Sequence, residues 1–172
     1  MSFAVWLTGL SGSGKTAVAK VLLGELQARG VAAAVLESDV MRTQLTPFPT
    51  YGEAERDFFY RALADFAARV VKDRPVIVDA TANRRSYRDR ARDAIPRFAE
   101  VYVSTPVEVC AARDTKGLYQ TGATTTLPGV QVSYEPPLSP ELVISGARGT
   151  PQDGAREIVE LLERRGWLKP YR

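Results

Sequence analysis

Trp6-Leu7-Thr8-Gly9-Leu10-Ser11-Gly12-Ser13-Gly14-Lys15-Thr16 is the stretch that decides the fold. From Gly9 to Thr16 it satisfies G-x-x-x-x-G-K-[ST] in full. The motif also stands where its mechanism needs it. Phe3 to Thr8 is a short apolar run rich in β-formers and reads as a buried strand. Val18, Val21, Leu22 and Leu26 then recur at helical spacing, with Gly30 where a C-terminal cap belongs. Gly9, Leu10, Ser11, Gly12, Ser13 and Gly14 form a loop whose glycines let successive N–H groups turn inward onto phosphate oxygens. The helix that starts near Lys15 adds its positive N-terminal end. Lys15 is expected to reach the β- and γ-phosphates, and the Thr16 hydroxyl to ligate Mg²⁺.

Outward from this loop the chain alternates strand-like and helix-like segments. Ala32 to Leu36 is a second apolar run, and Thr50 with Glu53 forms a capping-box pattern for a long helix reaching about Asp73. Pro75 to Asp79 reads as a third strand ending on an acid. An arginine-rich helix is expected over Arg84 to Ala94, a fourth strand over Phe98 to Val103, and a short helix from Pro106 through Arg113. Leu142 to Ile144 gives a fifth strand. A last helix starts at Thr150-Pro151, turns Ile158, Leu161 and Leu162 inward and closes at Gly166. Residues 115–140 break the rhythm with glycine, threonine and proline, and a stretch of that kind inside a compact domain is usually functional or disordered. The alternation predicts one α/β domain over residues 1–172, a P-loop fold whose parallel sheet is flanked by helices and closed by a lid at about 115–140.

Composition narrows the chemistry. The chain has 172 residues, 45% hydrophobic and 25% charged, as expected of an ordinary globular domain. There is no histidine, so histidine bases, Ser-His-Asp hydrolysis and histidine metal sites are excluded. Cys110 stands alone, which excludes an internal disulfide and suits a reducing cytoplasm. No apolar run approaches the roughly 20 residues of a membrane span, and no signal peptide is expected before the first strand. A net charge of +3, from 23 basic and 20 acidic side chains, fits a small anionic ligand better than a nucleic-acid track.

Two acids follow strands. Asp39 comes after the second and Asp79 ends the third, so a parallel sheet would bring both to the carboxyl edge that carries the P-loop. Val76-Ile77-Val78-Asp79 has the form of a Walker B strand. A helix cap for Asp39 and a solvated strand end for Asp79 are the competing readings. Both acids are candidate metal ligands beside Thr16, and which of them is the main one stays open.

At this point the chain resembles the adenylylsulfate kinases, P-loop enzymes that phosphorylate the 3′-hydroxyl of adenosine 5′-phosphosulfate. The likeness runs from Trp6 to about Ser145. The P-loop block looks like the family's opening, and Leu36-Glu37-Ser38-Asp39-Val40-Met41-Arg42 resembles its L-D-G-D-N-V-R segment. Glu100 to Pro106, Arg113 to Tyr119 and Ser133 to Pro137 match nearly residue for residue. The last two fall in the lid. The resemblance implies ATP and Mg²⁺ as cofactors, with Arg113 on the nucleotide side. It implies that Asp39 sits near the metal and the attacking hydroxyl, catalytic together with Lys15. Arg42 and Arg56 would hold the phosphosulfate, Tyr51 would stand beside them, and Lys116 would reach in from the lid. It also suggests a homodimer.

Some positions depart from the family. Val40 and Phe59 stand where it has asparagines, and Ala80-Thr81-Ala82-Asn83 replaces F-I-S-P, whose aromatic stacks on the acceptor adenine. Phenylalanine at position 80 is therefore expected to tighten acceptor binding. Asp79-Ala80-Thr81-Ala82-Asn83 is similar to the D-A-T-x-x-R form of other small hydroxyl kinases. Gln120 to Thr126 replaces a basic run in the lid. The expected activity is direct in-line transfer of the ATP γ-phosphoryl to adenosine 5′-phosphosulfate in the cytoplasm. Kinases for another nucleotide-like or sugar-like alcohol, a nucleotide-binding regulatory switch and a polynucleotide end kinase are the alternatives.

Overall fold

A computed structural model of the chain describes residues 2–114, 116–120 and 126–170. Five strands, β1 (Ala4–Thr8), β2 (Ala34–Glu37), β3 (Val76–Asp79), β4 (Phe98–Ser104) and β5 (Leu142–Ser145), form one sheet in the order β2-β3-β1-β4-β5. Every pairing is parallel. The chain leaves β1 towards β2 on one side, and later crosses from β3 over β1 to β4. β1 is thus the point where the sheet changes direction, and ligands collect at the carboxyl end of such a strand. Leu7 is in register with Asp79 on one side and Val101 on the other.

Side-chain alternation along β1 feeds two cores. Ala4 and Trp6 join Val76, Val78, Phe59, Leu63 and Tyr87 on one face of the sheet. Phe3, Val5 and Leu7 join Ile77, Val101, Leu22, Ile158 and Leu162 on the other. The first face is covered by α3 (Glu53–Val70) and α4 (Arg85–Ala94), the second by α1 (Lys15–Ala28) and α6 (Pro151–Arg164). α6 starts on a full capping box between Thr150 and Asp153, with Pro151 in the first turn. Its buried Ile158, Leu161 and Leu162 are the three residues the sequence turned inward.

Two local readings need correction. Residues Ser38–Leu45 form a helix, α2, that the sequence pattern did not disclose, because Met41 and Arg42 are its only buried residues. The expected capping box at Thr50 and Glu53 does not form. Tyr51 adopts a left-handed φ of 56°, Gly52 caps α3 with no side-chain bond, and Glu53 pairs instead with Arg84. Within the described part of 115–140 there is one isolated bridge, Pro128 to Val132, and no helix or strand, as the lid reading anticipated. Thr115 and residues 121–125, most of the segment that replaces the family's basic run, lie outside the described residues. No helix is long and apolar enough to cross a membrane among the described residues.

Candidate active site

The P-loop joins β1 to α1, with Gly14 in left-handed conformation as the cap of the helix. Two of its glycines are required by close approach as well as by torsion. A Cβ on Gly9 (φ 149°) would lie 2.5 Å from the Val103 carbonyl oxygen, and one on Gly12 (φ 77°) 2.9 Å from that of Cys110. Any larger residue would drive the loop off β4 and off α5 (Val107–Ala112). From behind, the Thr105 hydroxyl donates to the Ser13 carbonyl over 2.9 Å, and the lid's Tyr119 hydroxyl to the Ser11 carbonyl over 2.6 Å.

Lys15 is buried and donates to the carbonyls of Gly9 (2.9 Å) and Leu10 (2.8 Å). Burial lowers its pKa, and nearby Asp79 opposes the shift. Thr16 donates its hydroxyl to Asp79 over 2.5 Å, so the helix start and the end of β3 meet through one side-chain bond. Asp79 itself is buried.

Two cavities open above the sheet edge. The larger, of about 630 Å³, is lined by Ser11 to Val18, Asp79, Arg113 and the turn between β5 and α6. The smaller, of about 390 Å³, is lined by Arg42, Tyr51, Arg56, Tyr60 and the lid residues Leu118, Thr126, Leu127 and Pro128. Ser11, Ser38, Asp39, Thr81 and Lys116 line both. The two spaces therefore meet at Asp39 and Lys116, and these two side chains are ion-paired to each other. Burial works against the Lys116 charge, but the bond to Asp39 outweighs it and raises the pKa.

The structure thus brings the expected site residues to one edge but gives them unequal environments. Gly9 and Leu10 contribute carbonyls to Lys15 rather than surface to the cavity. Arg42 reaches the smaller cavity with its charge already met, since its Nη1 donates to Glu55 over 2.5 Å and its guanidinium lies 4.1 Å over the Phe59 ring. Phe59 is buried, so the position of the missing asparagine now forms the floor under Arg42. Val40, the other replaced asparagine, is exposed and lines neither cavity.

Arg56 is different. It is buried, donates through Nη2 to the carbonyl and hydroxyl of Thr126, and has no carboxylate partner among the described residues. Desolvation lowers its pKa, and Arg42 pushes the same way.

The expectation for position 80 is corrected. Ala80 is fully buried beneath the site, Trp6 Nε1 donates to its carbonyl over 3.3 Å, and it lines neither cavity. An aromatic ring there would overpack the core rather than face an acceptor. Thr81, one residue on, reaches both cavities, and the acid-Ala-Thr pattern was the available signal for it. Ala82 then turns left-handed (φ 43°), held by the Tyr60 hydroxyl on its N–H and by Arg88 on its carbonyl. Arg88 also donates to Glu100 and to the Glu135 carbonyl, each over 2.6 Å, which ties the loop after β3 to the lid's far end. Long-range ties of this kind leave no local sequence signal.

The family model described as adenylylsulphate kinase matches residues 1–145. The chain belongs to the adenylylsulphate kinase family. An adenylyl-sulfate kinase of Rippkaea orientalis is 37% identical over 169 residues, covering 95% of this chain and 93% of the relative. One from Halothermothrix orenii is 35% identical, with 95% and 91% covered. The solved Mycobacterium tuberculosis APS kinase CysC, in complex with AMPPNP and APS, superposes with a TM-score of 0.87 at 33% identity, covering 94% of this chain and 98% of that one. Family members are phosphotransferases, and this kinase has the fold and the P-loop of the group.

Proposed function

We propose that this kinase transfers the γ-phosphoryl of ATP to the 3′-hydroxyl of adenosine 5′-phosphosulfate, giving 3′-phosphoadenylyl sulfate. The observation that carries the reading is Arg56. A buried guanidinium without a carboxylate is costly unless an anion arrives to meet it. It lines a cavity that joins the phosphate cradle at Asp39 and Lys116, so an anionic acceptor held there would present its hydroxyl at the junction. The relative solved with AMPPNP and APS supports the same pair of ligands.

The chain's own residues divide the work. P-loop N–H groups, Lys15 and Arg113 hold the triphosphate, and Lys15 stands at the β- and γ-phosphates. Thr16 with Asp79 would hold Mg²⁺ on the nucleotide side, and Asp39 is the second acid in reach of the junction. The donor set fits this ion. Hydroxyl and carboxylate oxygens suit it, and an ion of this kind, held by one or two protein oxygens, would take its remaining ligands from substrate phosphates and water. When bound, Mg²⁺ neutralises charge on the β- and γ-phosphate oxygens.

Asp39 orients the acceptor hydroxyl and takes its proton as that oxygen bonds to the γ-phosphorus, while the bond from phosphorus to the β–γ bridging oxygen breaks and ADP leaves with that electron pair. Lys116, released from Asp39, then faces the transferring group. Arg56 holds the phosphosulfate, while Arg42 and Tyr51 shape the wall beside it. Catalysis here is positioning and charge stabilisation.

The test is an acceptor panel with γ-labelled ATP. Label should pass to adenosine 5′-phosphosulfate and not to adenosine 5′-monophosphate or a sugar acid. Transfer to the sugar acid, or ATP hydrolysis indifferent to every acceptor, would overturn the reading.

A further inference from the structure

Around the smaller cavity runs a chain of hydrogen bonds. Arg42 Nη1 donates to Glu55 Oε1 over 2.5 Å, and the Tyr51 N–H donates to Glu55 Oε2 over 2.9 Å. The Tyr51 carbonyl accepts from the Thr126 hydroxyl over 3.0 Å, and Thr126 in turn accepts from Arg56. Arg42, Tyr51, Arg56 and Thr126 all line the cavity, but Glu55 does not. It sits one residue before Arg56 in the first turn of α3, and both of its oxygens are occupied by donors.

We propose that Glu55 is the positioning residue of the acceptor pocket, which rests on the reading of that cavity as the acceptor site. It has two effects. Its first oxygen fixes the Arg42 guanidinium flat on the Phe59 ring and meets its charge, leaving Arg56 as the cation available to the incoming anion. Its second oxygen holds Tyr51 in the left-handed conformation that a tyrosine otherwise avoids, so that the Tyr51 carbonyl can hold Thr126 against Arg56. A carboxylate is required, because both partners are donors. Glutamine offers one oxygen and one NH₂, and the NH₂ would face an N–H whichever way the amide turns.

Glu55→Gln tests this. Acceptor KM should rise about tenfold or more, from the loss of charge-assisted bonds. The kcat and the KM for ATP should stay within about twofold, since the lost interaction acts on acceptor binding alone. Glu55→Asp keeps both oxygens and should fall between the two. A second readout needs no acceptor. Amide hydrogen exchange over residues 47–52 should quicken in Glu55→Gln while the P-loop peptide 9–16 is unchanged. An acceptor KM within about twofold of wild type, or unaltered exchange at 47–52, overturns the proposal. Wild-type protein that phosphorylates no adenosine 5′-phosphosulfate, yet shows the exchange difference, overturns the acceptor's identity and leaves the role of Glu55 standing.

Discussion

Arg56→Met separates a residue that binds from one that merely props. Methionine keeps the apolar stem in its slot and removes the guanidinium. On the stability side, the variant loses the charge-assisted bonds to Thr126, about 1.5–3 kcal/mol each, and escapes the cost, several kcal/mol, of burying a charge that no carboxylate ion-pairs among the described residues. The two nearly cancel, so unfolding free energy should move by less than about 1–2 kcal/mol in urea titrations. On the functional side, a hydrogen-bonded charge contact to an anion contributes about 1.5–3 kcal/mol, or roughly 10- to 150-fold in acceptor kcat/KM. Steady-state kinetics with each substrate varied in turn would show this loss for the acceptor and leave the KM for ATP unmoved. The reasoning is refuted by the opposite pattern. A stability loss of about 3–5 kcal/mol with normal acceptor kinetics would show that Arg56 is a structural strut whose charge is already satisfied.

Three further outcomes follow from the same geometry. Lys15→Ala should slow phosphoryl transfer at least about 100-fold in single-turnover assays, as loss of a pre-organised donor does. Ala80→Phe should cost about 1–3 kcal/mol or more on thermal unfolding and give no gain in acceptor affinity by calorimetry, because the site is buried under Trp6. For Glu141, burial pushes the carboxyl up, but the bonds from Arg92 and the Glu100 N–H prevail and hold it below its ordinary 4.5. A depressed carboxyl contributes stability above its unfolded pKa and loses it as pH falls through the folded one. Glu141→Gln should therefore be less stable than wild type at pH 7, with the gap closing below about pH 4.5 in denaturant titrations.

How much of this was legible in the sequence depends on how local each signal is. The strand, glycine loop and helix from Phe3 to Leu26 are one contiguous pattern, and the structure has them in the expected places. Strand ends are equally local, so the sequence alone assigns Asp39 and Asp79 to one sheet edge, and both line the larger cavity there. Helix α2 was not legible, because its Met41 and Arg42 are too few to make an apolar stripe. The expectation for Ala80 fails because a family resemblance gives position and not direction. In β3 and just beyond, alternate residues face opposite cores, and Ala80 falls with Val76 and Val78 in the core under α3 and α4, while Thr81, beyond the strand end, reaches the cavities. Glu55 and Arg88 act across 13 and 47 residues respectively, to Arg42 and Glu135, and no periodicity connects such partners. The Thr50–Glu53 pattern was a true local preference overruled by a tertiary one, since Glu53 found Arg84 and Tyr51 found Glu55.

The central claim is transfer to one particular oxygen, and the phosphorylation position of the product tests it most directly. Product made from ATP and adenosine 5′-phosphosulfate should show one new phosphomonoester resonance in a ³¹P spectrum, coupled to the ribose 3′ proton, and a 3′-nucleotidase should remove it and return the starting acceptor. A new phosphoryl group on the 2′-oxygen, or a spectrum with only ADP and inorganic phosphate at every acceptor concentration, would contradict the account.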